Sequence, residues 1–494
     1  MLTRPATRPL DRRPLAVAPC RLAPSIAVAP RFLPPLDPEF VPAALWNRAY
    51  RARVREAGGA PIAIALERGD SSVSVYHGAV LPHHGPNAEL NCRYAERLLK
   101  FLLWQKGACR VLISGAPALA RFLARVYSPA GARVFDHRFM GELVYGRPLA
   151  VESIDLDAIP GERETAAPLG RHLNGCRIGF DLGASDRKCA AVIDGRAVWS
   201  DETPWNPSAQ SDPQYHFDGI QDSLHRAAAQ LPRVDAIGGS AAGVYVDNRV
   251  RVGSLYRAVP QHLFEARIRN LFLDIGAAWG VPFEVANDGE VTALAGSMAL
   301  GDNSVLGVSM GSSLAAGYVT PRGAITGWLN ELAFAPVDYR VGAPLDEWSG
   351  DAGAGVQYFS QQAVARLLAP AGIQLPDEMP LPMKLEEVQR LVRAGDARAL
   401  RIFETIGVWF GYTVAHFADF YEVRNLLVLG RVMTGAGGEL LLATARRVLI
   451  AEFPEIAERI RFHIPGEREK RHGQAIAAAS LPAIPSMEIP HVPD

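Results

Sequence analysis

The sequence predicts an α/β fold in which two lobes of similar strand and helix order follow an additional N-terminal α/β module. The first observation is that strand-like alternation and helix-like spacing of apolar residues take turns along the chain from residue 60. The second is that one glycine-rich hairpin opens the stretch near residue 175 and another opens the stretch after residue 300. Two lobes that open in the same way imply a cleft between them, where α/β proteins often bind ligands.

The composition is that of an ordinary globular protein, and it excludes several classes of function. The chain has 494 residues, of which 49% are hydrophobic and 21% are charged. Its formal net charge of −1 offers no field that would recruit nucleic acid or an anionic membrane, and no apolar run is long enough for a transmembrane helix. Five scattered cysteines without a CxxC pair predict reduced thiols and a cytoplasmic location.

Changes in composition and periodicity predict the domain organisation. Residues 1–40 are rich in proline and arginine and residues 481–494 are rich in proline, so both ends are expected to be flexible tails. Between them we expect an N-terminal module, two lobes, and a C-terminal helix that packs back on the first lobe. The predicted bounds are 41–170 for the module, 171–300 and 301–465 for the lobes, and 466–480 for the helix.

The N-terminal module has two interpretations that the sequence leaves open. Its segments are predicted to begin strand, strand, strand, helix, strand from residue 60, and the stretch VFDHRFMGELVYGRPLAV (134–151) is predicted to add more strand. The lobe that begins near residue 175 is predicted to have the same opening order. The module is therefore either a degenerate copy of that lobe or an unrelated α/β unit.

The segment EVANDGEVTALAG (284–296) joins a predicted strand to a predicted helix through Asn287 and Asp288. One interpretation is an N-cap, because Asn and Asp accept hydrogen bonds from the free N–H groups of a first helical turn. The other is a substrate-binding amide beside a catalytic base. The two interpretations are compatible, since one residue can cap a helix and also catalyse.

Three further segments combine a strand with a turn of small residues. GFDLGAS (179–185) places Asp181 on a strand before such a turn, where a carboxylate suits Mg²⁺ held through water beside phosphates. MGSSLAAG (310–317) is a predicted hairpin and LGRVMTGAGGEL (429–440) a strand-to-helix turn, and both suit phosphates or adenosine lying against the backbone. The residues expected to contact the nucleotide are Asp181, Gly183, Ser185, Gly311, Ser312, Ser313, Gly430 and Gly435.

The order of these motifs resembles the actin-like ATPase superfamily, a ribonuclease H-like two-lobe fold that includes sugar kinases. More narrowly, residues 175–480 resemble the ROK family of sugar kinases and sugar-responsive repressors. The resemblance rests on the four segments quoted above and on the stretches around them. It implies ATP and Mg²⁺ as cofactors, Asp288 as the general base toward a sugar hydroxyl, and Asn287 and Glu331 as sugar contacts.

Several positions depart from the pattern of that family. Asp186 stands where a lysine is usual, Phe334 where a histidine binds sugar and zinc, and Arg431 where a second glycine is usual. The cysteines of the family's zinc motif are also missing from this region, so no zinc site is expected. Ser254 and Gln357 stand near an asparagine and a glutamate that bind sugar in the family, and both are taken as substrate-binding candidates.

Two functions therefore follow from the sequence. One is an ATP-dependent kinase of a sugar or sugar-like substrate, and the other is a non-catalytic sugar- or nucleotide-binding regulatory protein on the same scaffold. Tyr256, Trp328 and Phe334 are candidates for lining a reshaped pocket, although each taken singly is expected to fill core. The sequence leaves a homodimer open and predicts no nucleic-acid partner.

Overall fold

The computed structural model describes residues 26–164, 168–464 and 467–485, with side chains from residue 473 onward in the last range. The chain divides into two compact units, and each is described by itself. Unit 1 comprises Met1–Ala166, Val308–Ala316 and Gly327–Ile464, and unit 2 comprises Ala167–Gly307, Gly317–Thr326 and Pro465–Asp494. The N-terminal module thus shares one unit with most of the chain after residue 327. Within the described ranges, no helix has the length and apolar character needed to cross a membrane.

The helices and strands follow one another in three stretches of the chain. The N-terminal module contains α1 (Ala43–Glu56), β1 (Ala60–Glu67), β2 (Val73–Val80), α2 (Pro86–Lys106), β3 (Arg110–Ser114), α3 (Pro117–Val126), α4 (Val134–Arg138) and β4 (Ala150–Ile154). The next stretch contains β5 (Cys176–Leu182), β6 (Asp186–Ile193), β7 (Arg196–Pro204), α5 (Pro213–Ala228), β8 (Ala236–Ala241), β9 (Val244–Val246), β10 (Arg249–Val252), α6 (Gln261–Leu263), α7 (Leu271–Trp279), β11 (Phe283–Asn287) and α8 (Asp288–Leu300). The last contains β12 (Val305–Met310), β13 (Leu314–Val319), α9 (Gln361–Leu367), α10 (Leu381–Arg393), α11 (Ala397–Phe417), β14 (Asn425–Leu429), α12 (Gly435–Glu452), α13 (Pro454–Arg459), β15 (Arg461–His463) and α14 (Glu467–Ala479).

Unit 2 is built on a five-stranded sheet with the order β11-β8-β5-β6-β7. Strand β5 runs antiparallel to β6 and parallel to β8, which places Asp181 opposite Lys188 on one side and Ser240 on the other. Strand β11 runs parallel to β8 and ends at Asn287, opposite Ala241. The carboxyl ends of β5, β8 and β11 therefore share one edge of the sheet, the usual position of a ligand site in α/β folds.

Helix α14 lies against this sheet because two glycines leave room for its backbone. A Cβ on Gly179 of β5 would lie 1.9 Å from the carbonyl oxygen of Ala475, and a Cβ on Gly238 of β8 would lie 1.8 Å from that of Ala478. Any side chain at either glycine would push the helix away from the sheet. The close packing brings Gln474, near the start of the described side chains of α14, to Asp181.

The N-terminal module has a four-stranded sheet with the order β2-β1-β3-β4. Strand β1 runs antiparallel to both β2 and β3, whereas β5 of unit 2 runs parallel to β8, the strand after its helix. The described module also has no third strand between β2 and α2, although one was predicted. Its strand directions therefore differ from those of the lobe it was compared with.

The prediction of strand over residues 134–151 is wrong for most of that range. Helix α4 continues as a π-helix over Phe139–Tyr145, and strand begins only at β4. Phe135 and Phe139 are four residues apart, the spacing of one helical face, and both rings contact Trp104 of α2 at centroid distances of 6.1 and 4.9 Å. Tertiary packing of this face against α2 decides the helical conformation.

Within unit 1, the N-terminal module packs against the segment that follows residue 327. The backbone N–H groups of Asn330 and Glu331 donate to the carbonyl oxygens of Gln105 and Trp104 at the end of α2, at 3.0 and 2.9 Å. Phe334 is 6% exposed, and its ring lies 4.3 Å from that of Trp104. Phe334 thus fills an aromatic core to which the module contributes.

A buried group of charges also joins the module to this segment. Lys100 of α2 is fully buried, and its Nζ lies 2.8 and 3.1 Å from the carboxylate oxygens of Asp136 while also binding Asp351. Arg133 binds the same Asp351 and also Glu96. Because ions this deeply buried need partners, each member depends on the others to remain charged.

Replacing Lys100 with methionine is expected to lower the free energy of unfolding by about 3–5 kcal/mol, because the substitution leaves two buried carboxylates without their shared cation. Urea unfolding followed by circular dichroism measures the change. The matched control is Lys384→Met on α10, where the ammonium donates to the carbonyl of Asp377 at the surface, and its expected effect is within about 0.5 kcal/mol. A loss below about 1 kcal/mol for Lys100→Met would contradict the structural role of this group.

Candidate functional site

The junction of β11 and α8 is held by the side chain of Asn287. Its Oδ1 accepts the backbone N–H of Gly289 at 2.7 Å, which caps the first turn of α8. Its Nδ2 donates to the carbonyl oxygen of Gly243 at 2.7 Å, in the turn before β9. The oxygen of the Asn287 amide therefore caps α8 as predicted. The nitrogen of the same amide holds the turn before β9 against the start of that helix.

Asp288, the first residue of α8, has a carboxylate without a cationic partner. Its Oδ1 accepts the N–H of Gly289 at 3.0 Å, and no ion pair to it exists among the described residues. Its side chain is half-buried. Loss of water raises the pKa of Asp288, while the backbone N–H groups of Gly289 and of Asp288 itself lower that pKa in part. These are properties expected of a general base.

Asp181 lies on the same edge of the sheet, at the end of β5, and is 7% exposed. Its Oδ1 accepts the hydroxyl of Ser240 at 2.7 Å and the amide of Gln474 at 3.1 Å. The pKa of Asp181 is raised to about 6, mainly by burial and in part by the negative charges of Asp288 and Asp186, against the hydrogen bond from Ser240 and the positive charge of Lys188. The charge of Asp288 thus reaches the carboxyl of Asp181.

The turn between β5 and β6 offers backbone donors beside Asp181. The N–H of Gly183 donates to the carbonyl of Asp186 at 2.9 Å and so closes the hairpin. The carbonyl of Gly183 accepts the indole N–H of Trp205 at 2.8 Å. The N–H groups of Ala184 and Ser185 make no hydrogen bond within the described part of the chain, so two adjacent donors remain available to an anion.

The charged residues that follow this turn face in two directions. Arg187 donates to the carbonyl of Gly219 at 2.7 Å and pairs with Asp222 at 2.7 Å, both on α5. Asp186 and Lys188 lie on the other face of β6, the face of Asp181, and form an ion pair of 3.1 Å with one another. Asp186 also accepts the hydroxyl of Ser185 at 2.9 Å. Lys188 therefore offsets part of the negative charge that Asp186 adds to this face.

The remaining unit 2 candidate, Ser254, is exposed on a short 3-10 turn. Tyr256 in the same turn is 2% exposed, and its ring lies 4.9 Å from that of His216, so it fills the core of this unit. Tyr245 of β9 follows Gly243, the residue whose carbonyl Asn287 binds. Burial raises the pKa of Tyr245, and the charges of Tyr256 and Asp288 add to that effect. The turn held by Asn287 thus brings an unpredicted phenol close to Asp288.

Unit 1 contains the other predicted glycine turns. Gly430 has a φ of 102°, and a Cβ there would lie 2.4 Å from the carbonyl of Met310, so Gly430 packs closely beside Gly311. Gly435 has a φ of 70° at the start of α12, with open space around the position of its missing Cβ. Ser312 and Ser313 are exposed on the hairpin. These residues present backbone at the ends of two adjacent strands.

The sugar-binding candidates of unit 1 are partly or fully buried. Gln357 is 6% exposed, and its Nε2 donates to the side chain of Gln362 at 2.7 Å. Glu331 is half-buried, directly before the 3-10 turn that contains Phe334. Trp328 lies beneath the ammonium of Lys106, whose Nζ is 2.9 Å from the ring centroid. The N-terminal module therefore borders the segment that carries these candidates.

Sequence reasoning missed four residues around the two carboxylates, namely Ser240, Lys188, Gln474 and Tyr245. A weak signal exists for two of them. Ser240 follows two glycines at the end of a buried strand, and Gln474 is a polar residue at the start of a run of small residues. Lys188 and Tyr245 follow no pattern that separates them from other residues of their strands.

The candidate site contains one carboxylate suited to Mg²⁺. In the described ranges, no group of three or more His, Cys, Asp or Glu side chains could hold a metal ion by itself. Asp181 has an Oδ2 without a hydrogen-bond partner in the same ranges, since both of its bonds reach Oδ1. These residues fit a cation held by one carboxylate, with water and phosphate oxygens as its other ligands.

Comparisons with known proteins bear on the fold. No protein-family model matches the sequence, and no curated protein matches it. A ROK-family transcriptional regulator, a homologue of the E. coli MLC protein, aligns with a TM-score of 0.50 at 18% identity over 63% of this chain and 79% of its own. A ROK hexokinase from Thermus thermophilus aligns with a TM-score of 0.47 at 20% identity, over 61% of this chain and 97% of its own. A ROK-family glucokinase from Streptomyces griseus, solved with glucose and AMPPNP, aligns with a TM-score of 0.46 at 20% identity, over 62% and 98%.

The alignment with the ROK-family regulator, at a TM-score of 0.50, confirms the predicted α/β actin-like ATPase fold and the predicted resemblance to ROK proteins at the level of the fold. It covers 63% of the chain, close to the share that the sequence resemblance covers. At these identities a likeness in fold does not carry an activity with it.

Replacing Asp288 with asparagine is expected to lower the pKa of Asp181 from about 6, because it removes a neighbouring negative charge and keeps the shape of the side chain. Replacing Lys188 with methionine is expected to raise the same pKa, because a positive charge is lost. Titration of the Asp181 carboxyl by ¹³C NMR measures both shifts. Asp274→Asn, at an exposed position in the first turn of α7, is the matched control and should leave that pKa unchanged.

Proposed function

The chain has the fold of ROK-family proteins, and on that premise we propose that it transfers the γ-phosphate of ATP to a hydroxyl of a sugar or sugar-like substrate. Asp288 acts as the general base. Phosphoryl transfer needs alignment, neutralisation of charge and one oriented oxygen nucleophile, so a single carboxylate suffices as the protein's proton acceptor.

The observation that carries this proposal is the state of Asp288. A carboxylate engaged by a lysine or arginine is a weak base, because the cation favours its ionised form. Asp288 has no such partner among the described residues, and its pKa is raised by desolvation. Its Oδ1 is held by the N–H of Gly289, which leaves Oδ2 to accept a proton from an approaching hydroxyl.

The nucleotide side of the proposal rests on Asp181 and the glycine turns. Asp181 would hold Mg²⁺ through water, and the ion when bound would offset negative charge on the phosphates. The free N–H groups of Ala184 and Ser185 are suited to phosphate oxygens. Gly183 closes that turn. The backbone and hydroxyl groups of Gly311, Ser312, Ser313, Gly430 and Gly435 remain proposed nucleotide contacts.

The acceptor side of the proposal is less specific. Both ends of the Asn287 amide are engaged, so its contribution to a sugar hydroxyl would use the second hydrogen of Nδ2 or the second lone pair of Oδ1. Ser254 and Glu331 remain proposed contacts of the sugar. Gln357 is the weakest of them, since it is buried and its amide is engaged with Gln362. The expected cytoplasmic location and the homodimer that the sequence left open remain expectations.

A second candidate function is a non-catalytic regulator that binds a sugar or a nucleotide. Asp186 favours it, because this carboxylate adds negative charge to the face that would receive phosphates. Isothermal titration with ATP and Mg²⁺, followed by a phosphorylation assay over hexoses, amino sugars and polyols, separates the two functions. Binding without transfer to any acceptor supports the regulator.

Replacing Asp288 with asparagine is expected to lower kcat for phosphoryl transfer by about 10²–10⁴-fold, because the amide cannot accept the proton of the hydroxyl. The fold should survive, since asparagine still offers an oxygen to the N–H of Gly289. A coupled ADP-release assay at saturating ATP measures the rate, and thermal unfolding checks the fold. Asp274→Asn is the control that should retain the full rate. Full activity in Asp288→Asn would remove the base assignment.

The pH dependence of kcat/KM is expected to show an acid limb with a midpoint above 3.8, the ordinary value for the aspartate pKa. The base works when ionised, and because its pKa in the folded protein is raised, activity present at neutral pH is lost as the pH falls through that raised value. Asp181, whose pKa is about 6, also takes up a proton as the pH falls, so the limb reports both groups together. A profile flat down to about pH 4 would contradict the desolvation of Asp288.

A further inference from the structure

Lys188 occupies the centre of a group of carboxylates on one face of the unit 2 sheet. It lies opposite Asp181 across the β5–β6 pairing and opposite Glu202 across the β6–β7 pairing. Asp186 precedes it by two residues on the same face, and its Oδ1 is 3.1 Å from Nζ. Side chains directly opposite one another on paired strands are close enough to interact, so Lys188 is within the field of all three acids.

Arg187, the cation next to Lys188 in the sequence, does not lie on the face of the sheet that carries Asp181. Arg187 alternates to the opposite side of β6, where it pairs with Asp222 and donates to Gly219. A phosphate at the free N–H groups of Ala184 and Ser185 would therefore meet Asp181 and Asp186, with Lys188 as a lysine on the same face among the described side chains. Without a mobile positive charge from the protein, the carboxylates would oppose the anion.

The ion pair between Lys188 and Asp186 is built so that it can be exchanged. Its side chains are 32% and 26% exposed, and a pair this accessible to water is held weakly. Lysine carries its charge on a flexible four-carbon chain with three donors, so Nζ can turn from one acceptor to another within a small radius. Asp186 in turn receives the hydroxyl of Ser185, which gives it a second partner if Lys188 leaves.

We propose that Lys188 binds the phosphate oxygens of a nucleotide at the 183–185 turn, and that Asp186 holds Lys188 and competes with the phosphate for it. The inference rests on the proposed function for the identity of the anion as a nucleotide. It assigns to Lys188 the cationic role that the residue directly after the turn, Asp186, cannot perform. Asp186 then acts as a positioning residue that sets the affinity for nucleotide and has no contact with the reacting atoms.

Isothermal titration of the full chain with ATP and Mg²⁺, and separately with inorganic triphosphate, tests this assignment. Lys188→Met is expected to weaken binding about tenfold, the loss of one charge-assisted contact. Asp186→Asn is expected to strengthen it about threefold, because the competing carboxylate is gone and its size is kept. In the double variant the gain from Asp186→Asn should shrink, because there is no longer a lysine to release and only the direct relief of repulsion remains. Lys188→Arg should retain most of the affinity.

Two matched controls remove one charge of each sign elsewhere. Lys384→Met on α10 and Asp274→Asn on α7 should leave both affinities within about twofold of the unmodified chain. Lys188→Met with unchanged affinity, or Asp186→Asn with weaker affinity, overturns the inference. Near-ultraviolet circular dichroism verifies that each variant is folded before its affinity is interpreted.

The outcome separates this inference from the proposed function. A chain that binds ATP with the expected pattern of variants but transfers no phosphate contradicts the kinase and supports the role of Lys188. A chain that transfers phosphate while Lys188→Met binds ATP normally contradicts the role of Lys188 alone. A chain that binds neither ATP nor inorganic triphosphate overturns the inference directly.

Discussion

The side chain of Asn287 is the contact on which the rest of the candidate site depends. Its two hydrogen bonds, to the N–H of Gly289 and to the carbonyl of Gly243, join the end of β11, the start of α8 and the turn before β9. Asp288 is thereby fixed at the first position of α8, and Tyr245 is brought close to it. An alanine at 287 would leave the carbonyl of Gly243 without this donor, and the N–H of Gly289 would keep only its longer bond to Asp288.

The candidate site in unit 2 also contains several carboxylates. Asp186 and Asp288 both act on the carboxyl of Asp181, whose pKa is raised to about 6 mainly by burial, and Glu202 lies opposite Lys188 on β7. A phosphate bound at this face would depend on the cations beside these acids, and Lys188 is one of them among the described side chains. The hydroxyl of Ser240 and the amide of Gln474 stabilise the ionised form of Asp181 without adding charge.

The N-terminal module contributes to the interior of unit 1. It supplies α2, whose final carbonyl groups bind the backbone of residues 330 and 331, and Trp104, against which Phe334 packs. Lys100 then shares its charge between Asp136 of the module and Asp351 of the later segment. Because these contacts are buried, the module is part of the interior of unit 1, and the segment that carries Glu331 and Gln357 is ordered by residues outside the stretch that resembles ROK proteins.

The sequence by itself determined the alternation of strands and helices, the small-residue turns and the Asn287 cap, because each depends on periodicity or chemistry within a few residues. It also predicted the fold, through the order of motifs along the chain. It did not reveal Ser240 and Gln474 as partners of Asp181, which lie 59 and 293 positions away along the chain. Nor did it show that residues 134–145 are helical, since packing on Trp104 decided between strand and helix. Only the tertiary structure decides such contacts, because strand pairing and helix docking bring together residues that no local pattern relates.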